Sequence, residues 1–382
     1  MMRMSLFCLL FFTTQLVFSQ SVVRYEKTDR LLDLSPYVFY LADTTPSLTF
    51  KQVQKLPHAA FVQNKKSHTK AQSASKKPVS IIFDTDIGPD YDDVGAMAIM
   101  HALADKGEAN ILATIACNQS KYAAATMSVI NTYFGRPNIP VGITRNVRSV
   151  NISAWQKWDS VLVARYPSKI KNNNQAQDAL TLYRKTLAAQ PDNSVTIITV
   201  GFLSNLNDLL KSPADKISPL TGMALVKRKV KRLVSMAGRF PKASEYNIQC
   251  DPISAKYVVE NWPTEVIFSG WEIGNAVRTG LPLINNQNIT NSPVKDAFAI
   301  SMPLASADSL GRMSWDQTAV LVGVRGHEPY YSLVEGQFIC AVWGGNDWDT
   351  KARGHFYLTE KMPVPQVEKV LNDLMMHQPT KK

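Results

Sequence analysis

The chain has 382 residues, of which 45% are hydrophobic and 19% are charged, with 18 Gly and 21 Pro. This composition excludes collagen-like, coiled-coil and wholly disordered proteins, and the length suffices for one large domain or two ordinary ones. Lys and Arg outnumber Asp and Glu by 42 to 31, which gives a formal net charge of +11. A basic excess of this size is compatible with binding to nucleic acid or to a membrane surface, so the position of the charges matters.

Residues 1–19 are typical of a secretory signal peptide. Arg3 supplies a positive start, Leu6–Phe18 is mostly apolar, and Val17 and Ser19 are small enough for the −3 and −1 positions of a cleavage site. The apolar run is shorter than the roughly 20 residues of a membrane span, although an uncleaved anchor is the alternative. We therefore predict cleavage near Ser19, export to the periplasm or the extracellular space, and no stable membrane anchor.

Two further segments precede the regular part of the chain. Residues 20–63 hold apolar patches without a long helical period and are predicted to form an N-terminal extension. Residues 64–78 contain five Lys, no acid and almost nothing apolar, which is typical of an exposed linker. A nucleic-acid-binding arm is the alternative, but this segment lacks the aromatic or Arg residues that such an arm needs.

The cysteines give little information. Cys8 lies inside the predicted signal peptide, which leaves Cys117, Cys250 and Cys340. Three widely spaced cysteines do not form a disulfide framework, and one disulfide with a free thiol or three buried thiols are both compatible with the sequence. No pattern of Cys and His indicates zinc.

From residue 79 onward, strand and helix patterns alternate, which predicts an α/β domain over residues 79–382. The fold class is a mostly parallel sheet with helices on both faces. Apolar β-rich runs predict strands at 79–86, 110–118, 139–143, 194–201, 231–238 and 264–270, and helical spacing predicts helices at 92–107, 120–135, 202–211, 251–261 and 314–324. Residues 337–343 and 354–359 predict a late β-hairpin, and residues 365–377 a closing amphipathic helix. In open parallel sheets, ligands bind at the carboxyl ends of the strands.

Five aspartates follow the first predicted strand within ten residues. They are Asp84, Asp86, Asp90, Asp92 and Asp93. Carboxylates this close repel one another unless a cation or hydrogen bonds neutralise them, and Ca²⁺ suits a crowded, irregular site of oxygen ligands. A glycine at position 88 allows the backbone to bend so that several carboxylates converge. The alternative is a solvated acidic turn whose last two aspartates cap the next helix.

The strand that ends in DTDIGPDYDD and leads into a helix resembles the opening of the nucleoside hydrolase family, of the inosine–uridine-preferring type. Further similar segments follow in the family's order: CNQS (117–120), VGFLSNLNDLL (200–210), MAGRF (236–240), EYNIQCDPISAKYVV (245–259) and SWDQTAVL (314–321). The resemblance covers roughly residues 79–375 and implies the nucleoside hydrolase fold, which is Rossmann-like. It implies an N-ribosyl hydrolase that cleaves the N-glycosidic bond of nucleosides or of a related ribosylated compound. The partner it implies is a small nucleoside-like molecule and not nucleic acid, and a homo-oligomer is common in the family.

The resemblance also implies a Ca²⁺ site and a mechanism. The ligands would be Asp86, Asp93, Asp316 and the backbone carbonyl of Val200. A metal-bound water would attack the anomeric carbon of ribose, with Asp86 as the general base. The surrounding carboxylates would stabilise a transition state that resembles an oxocarbenium ion.

The remaining site residues are implied by the same resemblance. Asp92 and Asn247 would bind ribose hydroxyls, Asn118 would act beside the water and the ribose, Glu245 would take the 5′-hydroxyl, Met236 would line the sugar, and Trp315 would contact the base. Each has a structural alternative. Asn118 could be a turn residue, Met236 a core residue, and Glu245 and Asn247 could hold a loop through local hydrogen bonds.

The chain departs from the family at the end of the site that would hold the leaving base. Family members carry a His before the late Asp, where this chain has Trp315, and Trp can stack on a base but cannot protonate it. Pro89, Asp90 and Tyr91 lengthen the first loop. Tyr91, Trp155, Trp158 and Trp315 are candidates to stack on a base, or else core or lid residues, and His327 and His355 are candidate acids.

Three functional interpretations follow. The first is the N-ribosyl hydrolase, the second an exported sugar- or nucleoside-binding or sensing protein on the same fold with little turnover, and the third a polyanion binder. Ten basic residues lie in two blocks that contain no acid: Lys65, Lys66, Lys70, Lys76 and Lys77, and Lys227, Arg228, Lys229, Lys231 and Arg232. These blocks account for a mature net charge of +10, so the basic excess belongs to the periphery and not to the acidic site.

Overall fold

A computed structural model describes residues 77–146 and 150–379. The predicted signal peptide, the N-terminal extension and the linker up to residue 76 lie outside the described residues. Within the described ranges, no helix has both the length and the apolar character needed to cross a membrane.

The described chain alternates strands and helices as the sequence predicts. The strands are β1 Val79–Thr85, β2 Ala109–Ala116, β3 Val141–Ile143, β4 Gln177–Asp178, β5 Val195–Thr199, β6 Val230–Met236, β7 Ala243–Ser244, β8 Glu265–Ser269, β9 Arg278–Thr279, β10 Arg312–Met313, β11 Tyr331–Cys340, β12 Gly345–Asp349 and β13 His355–Glu360. The helices are α1 Asp92–Asp105, α2 Ala123–Tyr133, α3 Trp158–Arg165, α4 Ala179–Ala188, α5 Ser204–Lys211, α6 Gly222–Lys229, α7 Tyr246–Cys250, α8 Pro252–Asn261, α9 Trp271–Ala276, α10 Leu281–Asn285, α11 Pro293–Ser301, α12 Trp315–Arg325 and α13 Val364–Met375.

One sheet of eleven strands organises the described part of the chain, in the order β4-β3-β2-β1-β5-β6-β8-β13-β11-β12-β7. The pairs from β4 to β13 are parallel, and the three pairs that follow are antiparallel. From β1 the chain adds β2, β3 and β4 on one side and later β5, β6 and β8 on the other. The order therefore reverses between β1 and β5, which is where open α/β sheets bind their ligands.

Successive side chains of a strand point to opposite faces of the sheet, so an apolar strand presents apolar side chains on both faces. Helices cover each of these faces. On one face Ile81 and Phe83 of β1 pack in a core with α1, α2, α12 and α13. On the other face Ile82 packs in a second core with α4, α5, α6 and α8. All three side chains have no exposed surface, and burial of each stabilises the fold by about 1.5–3 kcal/mol. The predicted fold class is confirmed.

Both segments of the predicted late β-hairpin form antiparallel strands, but a third strand, β12, lies between them in the chain. The first half of β11, from Tyr331 to Gly336, pairs antiparallel with β13, and the second half, from Gln337 to Cys340, pairs with β12. The predicted segment 354–359 thus pairs with residues that precede the predicted segment 337–343. The charged and polar residues of GNDWD hid β12, since they resemble a turn.

The three cysteines of the described chain are free thiols. Cys117 and Cys340 are buried, and Cys250 is partly exposed. The described residues therefore contain no disulfide, and they differ from the alternative of three buried thiols only in the partial exposure of Cys250.

Candidate active site

A cavity of about 350 Å³ opens at the carboxyl ends of the central strands, beside the point where the strand order reverses. It is lined by residues that follow β1, β5 and β8 closely, by the end of β6 and by the start of α12. The lining residues are Asp86, Pro89, Asp90, Asp92, Val200, Met236, Glu245, Tyr246, Asn247, Trp271, Arg312, Trp315 and Asp316. The structure therefore brings together every predicted site residue except Asn118 and Asp93, which lie just behind the wall.

The loop between β1 and α1 positions the carboxylates at the floor of the cavity. Gly88 has φ +145°, and a Cβ there would lie 2.8 Å from Ser120 Cβ and 2.9 Å from Asn118 Nδ2, so only glycine fits. The two aspartates that follow, at positions 92 and 93, occupy the first turn of α1, and the N-cap residue is Tyr91, whose side chain makes no cap hydrogen bond. Negative charge in a first turn is favourable to the helix dipole, but these carboxylates are not the cap.

Asn118 fixes this loop from behind. Its Nδ2 donates to the carbonyl oxygens of Asp86 at 2.9 Å and Ile152 at 2.7 Å, and its Oδ1 accepts from the backbone N–H of Ser120 and Ile152. The side chain is fully buried and its four hydrogen bonds are all internal. This arrangement makes Asn118 a support for the backbone of Asp86, and its contact with the water and the ribose stays a prediction.

The floor of the cavity concentrates negative charge. Burial and the neighbouring carboxylates raise the pKa values of Asp86, Asp93 and Asp316 well above their usual range, and burial raises the pKa of Asp92 to about 7 against the opposing effect of Arg312. Carboxyl oxygens of positions 90, 92 and 93 lie within 4.8 Å of one another. Removal from water and mutual repulsion both disfavour the charged forms, so a cation here would be strongly favourable.

The donor atoms fit a hard divalent cation. Thr85 Oγ1 donates to Asp93 Oδ1, while Asp93 Oδ2 is buried and has no hydrogen-bond partner among the described residues. A buried carboxylate oxygen without a partner is costly, and coordination of a cation removes that cost. All the candidate ligands are oxygens, which is the set that Ca²⁺ and Mg²⁺ prefer.

Asn247 connects the ends of two strands at the same site. Its Nδ2 donates to the carbonyl oxygens of Val200 at 3.0 Å and Met236 at 3.1 Å, and it also lies 3.3 Å from Met236 Sδ. Its Oδ1 makes no hydrogen bond with the described residues and is the atom free to accept from a ligand. A carbonyl oxygen has two lone pairs, so Val200 can accept this bond and still bind a cation.

Glu245 is both a lining residue and a helix cap. Its carboxylate accepts from the backbone N–H groups of Asn247 at 2.9 Å, Ile248 at 3.2 Å and Gly238 at 3.2 Å, which caps α7. Burial raises its pKa to about 7, and the hydrogen bonds oppose that shift. The local hydrogen bonding that the sequence left as an alternative is therefore present, in a residue that also lines the cavity.

The far wall of the cavity is aromatic. Trp315 Nε1 donates to the carbonyl oxygen of Trp271 at 2.9 Å, and the two ring centroids are 6.4 Å apart. Tyr246 also lines the cavity and is 49% exposed. None of the lining residues in the described chain is a histidine. This wall offers stacking surfaces and no imidazole acid.

The other candidates for the base end lie elsewhere. Tyr91 and Trp158 are fully buried, and Trp155 is 62% exposed and does not line the cavity. Neither His327 nor His355 lines it, and burial lowers the pKa of His355 to about 4. His355 Nδ1 accepts from the backbone N–H of Phe338, which is a structural role in the sheet.

The family follows from the sequence match. Residues 81–347 match the sequence model described as inosine-uridine preferring nucleoside hydrolase. The chain belongs to this family. As a nucleoside hydrolase it is a hydrolase that acts on N-glycosyl compounds, and the substrates of the family are small nucleosides. No curated protein sequence matches the chain significantly.

Solved structures share the fold of this nucleoside hydrolase. An inosine-guanosine nucleoside hydrolase has a TM-score of 0.61 and 19% identity and covers 78% of this chain and 99% of its own. An inosine-uridine preferring nucleoside hydrolase from Bacillus anthracis has a TM-score of 0.60 and 16% identity, with 78% and 99% covered. The type III effector protein XopQ, solved with adenosine diphosphate ribose, has a TM-score of 0.60 and 12% identity, with 79% and 94% covered.

The sequence reasoning missed three lining residues of this nucleoside hydrolase. Trp271 follows the end of β8 after a single glycine, so the rule that ligand-binding residues follow strands could have found it. Tyr246 lies between two predicted site residues. Arg312 had no signal of its own, because it lies about 220 positions from Asp90 and Asp92, to which it donates hydrogen bonds.

Proposed function

We propose that the protein is a Ca²⁺-dependent N-ribosyl hydrolase that cleaves nucleosides or a related ribosylated compound. The observation that carries this proposal is the cavity itself, whose lining combines buried carboxylates with aromatic side chains. The carboxylates suit a cation and a pentose, and the aromatic rings suit a nucleobase. Asp86, Asp93, Asp316 and the Val200 carbonyl are the proposed cation ligands.

The chain's own residues would then divide the work. Asp86 takes a proton from the attacking water, since its carboxyl lines the floor and its backbone is held by Asn118. Asp92 and the free Oδ1 of Asn247 accept hydrogen bonds from ribose hydroxyls, and Glu245 takes the 5′-hydroxyl. The negative floor stabilises the positive charge that develops on the sugar as the N-glycosidic bond breaks. A bound Ca²⁺ would supply a positive charge that orients the ribose and lowers the pKa of a nearby water.

The leaving base would lie against Trp271 and Trp315. Stacking orients the base but supplies no proton, so release of the base would depend on its own basicity and on solvent. The XopQ structure contains adenosine diphosphate ribose. That ligand supports including ribosylated compounds other than simple nucleosides among the candidate substrates.

A panel of purine and pyrimidine nucleosides, assayed for released ribose with and without a chelator, tests the proposal. We expect ribose release that stops on chelation and returns with Ca²⁺ in preference to Mg²⁺. The absence of a histidine among the described lining residues favours the alternative of a sugar- or nucleoside-binding protein with little turnover. Tight nucleoside binding without ribose release from any member of the panel would support that alternative.

Export is a separate proposal that rests on residues 1–19. We expect the secreted or periplasmic protein to begin at Gln20, which N-terminal sequencing of the exported chain would check. A protein retained in the cytoplasm with Met1 intact would contradict it.

A further inference from the structure

Arg312 lies at the junction of the two ends of the cavity, on the short strand β10 just before α12. Its guanidinium is largely buried, with 11% of the side chain exposed. Nε and Nη2 both donate to Asp92 Oδ1, at 3.1 and 2.8 Å, and Nη2 also donates to Asp90. Nη1 lies 3.7 Å from Asp308 Oδ2. One buried cation therefore contacts three carboxylates from two distant segments.

Two aromatic rings contact this guanidinium. It lies over the rings of Tyr91 and Trp315, with 5.1 Å from its central carbon to each ring centroid. The Tyr91 hydroxyl donates to Asp308 Oδ2 at 2.6 Å, which joins the first loop to the same segment. Cation–π contacts favour this arrangement, and a charge held by both rings and acids has little freedom to turn.

The extra residues of the first loop are the ones that Arg312 holds. Asp90 and Tyr91 belong to the lengthened part of that loop, and both contact Arg312. Asp92 is the next residue in the chain. Its Oδ1 accepts both hydrogen bonds, from Nε and Nη2 of Arg312, and its Oδ2 has no hydrogen-bond partner in the described ranges. Arg312 thus occupies one oxygen of Asp92 and leaves the other without a partner among the described residues.

We propose that Arg312 is a positioning residue for ribose recognition: it orients Asp92 so that Oδ2 accepts from a ribose hydroxyl. The inference rests on the proposed function, because it assumes that the pentose lies at Asp92. It predicts that Arg312 matters for a substrate that carries the hydroxyl and matters little for one that lacks it.

Lysine is the informative replacement for this arginine. It keeps the positive charge that the three carboxylates require, but its ammonium is a point charge without the planar fork that bonds two acids and stacks on rings. Arg325→Lys is the matched control, since Arg325 donates to both oxygens of Glu108 at 2.7 and 2.8 Å and does not line the cavity.

The experiment is calorimetric titration of D-ribose, 2-deoxy-D-ribose and 3-deoxy-D-ribose, in the presence of Ca²⁺, into the wild type, Arg312→Lys and Arg325→Lys. We expect Arg312→Lys to weaken ribose binding about tenfold, the effect of losing one charge-assisted hydrogen bond. The deoxy sugar that lacks the hydroxyl held by Asp92 should bind the variant and the wild type equally. Arg325→Lys should bind all three sugars as the wild type does.

Three outcomes separate this inference from the proposed function. Unchanged ribose binding by Arg312→Lys, or an equal loss of affinity for all three sugars, would overturn the positioning role. The proposed function would still stand if the wild type releases ribose from nucleosides. Selective loss of ribose binding in a protein that releases no ribose from nucleosides would keep the positioning role and reject turnover. A wild type that binds no ribose would overturn the positioning role.

A second variant decides the matter if Arg312→Lys does not fold. Asp90→Asn removes one of the carboxylates that hold Arg312 at a side chain that is 40% exposed, so the fold should tolerate it. We expect a smaller ribose-selective loss, about threefold, because Asp92 keeps both of its bonds to Arg312. An equal affinity of this variant and the wild type for ribose would contradict the positioning role.

Discussion

Asp86 is the single residue on which the proposed chemistry depends most. We expect Asp86→Asn to lower kcat by a thousandfold or more, since a general base contributes roughly 10²–10⁴ in rate and this one is also a proposed cation ligand. The substitution preserves size, so the fold should be retained. Ribose release and the melting temperature, measured together, check this.

Asp192→Asn is the matched control for that substitution. Asp192 is half exposed, pairs with Arg228 and Lys229 and does not line the cavity. It should keep wild-type turnover. Full activity of Asp86→Asn would show that the base lies elsewhere.

Trp315 is the residue that should decide which base is accepted. Trp315→Phe keeps a stacking ring but loses the bond from Nε1 to the Trp271 carbonyl, whereas Trp315→Ala removes both. We expect KM to rise more for Trp315→Ala than for Trp315→Phe. For Trp315→Ala on the best purine nucleoside the rise should be about tenfold, because aromatic stacking on a base contributes about 1–3 kcal/mol. Steady-state kinetics over a nucleoside panel measures this, and unchanged kinetics on every base for Trp315→Ala would remove the residue from the base pocket.

Among the secondary-structure elements, strand ends are where sequence and structure agree best. The apolar runs that predict β1, β2, β5, β6 and β8 are short and bounded, and the polar residues after them converge because parallel strands end at one edge. What the sequence could not give was contact between distant elements. The pairing of Arg312 with Asp90 depends on how β10 folds back toward the first loop, and no local pattern encodes that distance.

The close approach of the loops after β1 and β5 allows a test at the level of the element. A Cβ at Gly201 would lie 2.6 Å from the Asp86 nitrogen and 2.7 Å from Cys117 Sγ. Gly201→Ala must therefore displace the loop that carries Asp86, and we expect kcat/KM to fall by about a hundredfold, as displacements near 1 Å in a site do. Gly107→Ala is the control, because Gly107 has nothing within 4 Å of an added Cβ. It should lose some stability, through its positive φ, but no activity; equal activity loss in both variants would contradict the expectation.

The contact between α1 and α2 contains a buried histidine that should make the free energy of unfolding depend on pH. His101 on α1 is fully buried, its Nε2 lies 2.9 Å from Asn131 Oδ1 on α2, and Nδ1 has no partner among the described residues. Burial, with a smaller effect of Arg136, lowers its pKa to about 3. The unfolded chain binds this proton near pH 6.5 and the folded chain does not, so stability is lost as pH falls below 6.5.

The loss due to His101 should reach about 2 kcal/mol at pH 5, as an order of magnitude. Urea unfolding of the wild type and of His101→Gln between pH 7 and pH 5 measures it. Glutamine does not titrate, so the variant should show a shallower fall of unfolding free energy with acid. Parallel pH dependences for the two proteins would mean that His101 does not titrate across this range.

At the scale of the whole molecule, the described basic block and the cavity lie at opposite ends of the parallel strands. The described basic block from Lys227 to Arg232 lies at the end of α6 and the start of β6, whereas the cavity lies at the carboxyl ends of the strands. Arg228 and Lys229 pair with Asp192, and Arg232 pairs with Glu265. The basic excess is therefore partly neutralised at the edge opposite the site, which weakens the case for polyanion binding as its function.

The acidic floor couples the stability of the whole domain to the proposed cation. Buried carboxylates that repel one another destabilise the fold, so an ion that binds only the folded state should stabilise it by about 2.7 kcal/mol at a hundred times its Kd. We expect Ca²⁺ to raise the melting temperature of the wild type and a chelator to lower it. In Asp316→Asn both responses should shrink, because one proposed ligand and one repelling charge are lost together. Without Ca²⁺, Asp316→Asn should melt above the wild type, because it has lost a repelling charge. With Ca²⁺, the wild type should gain more, so the plots of melting temperature against Ca²⁺ concentration should cross. A nonspecific effect of Ca²⁺ would shift both proteins alike and would produce no crossing.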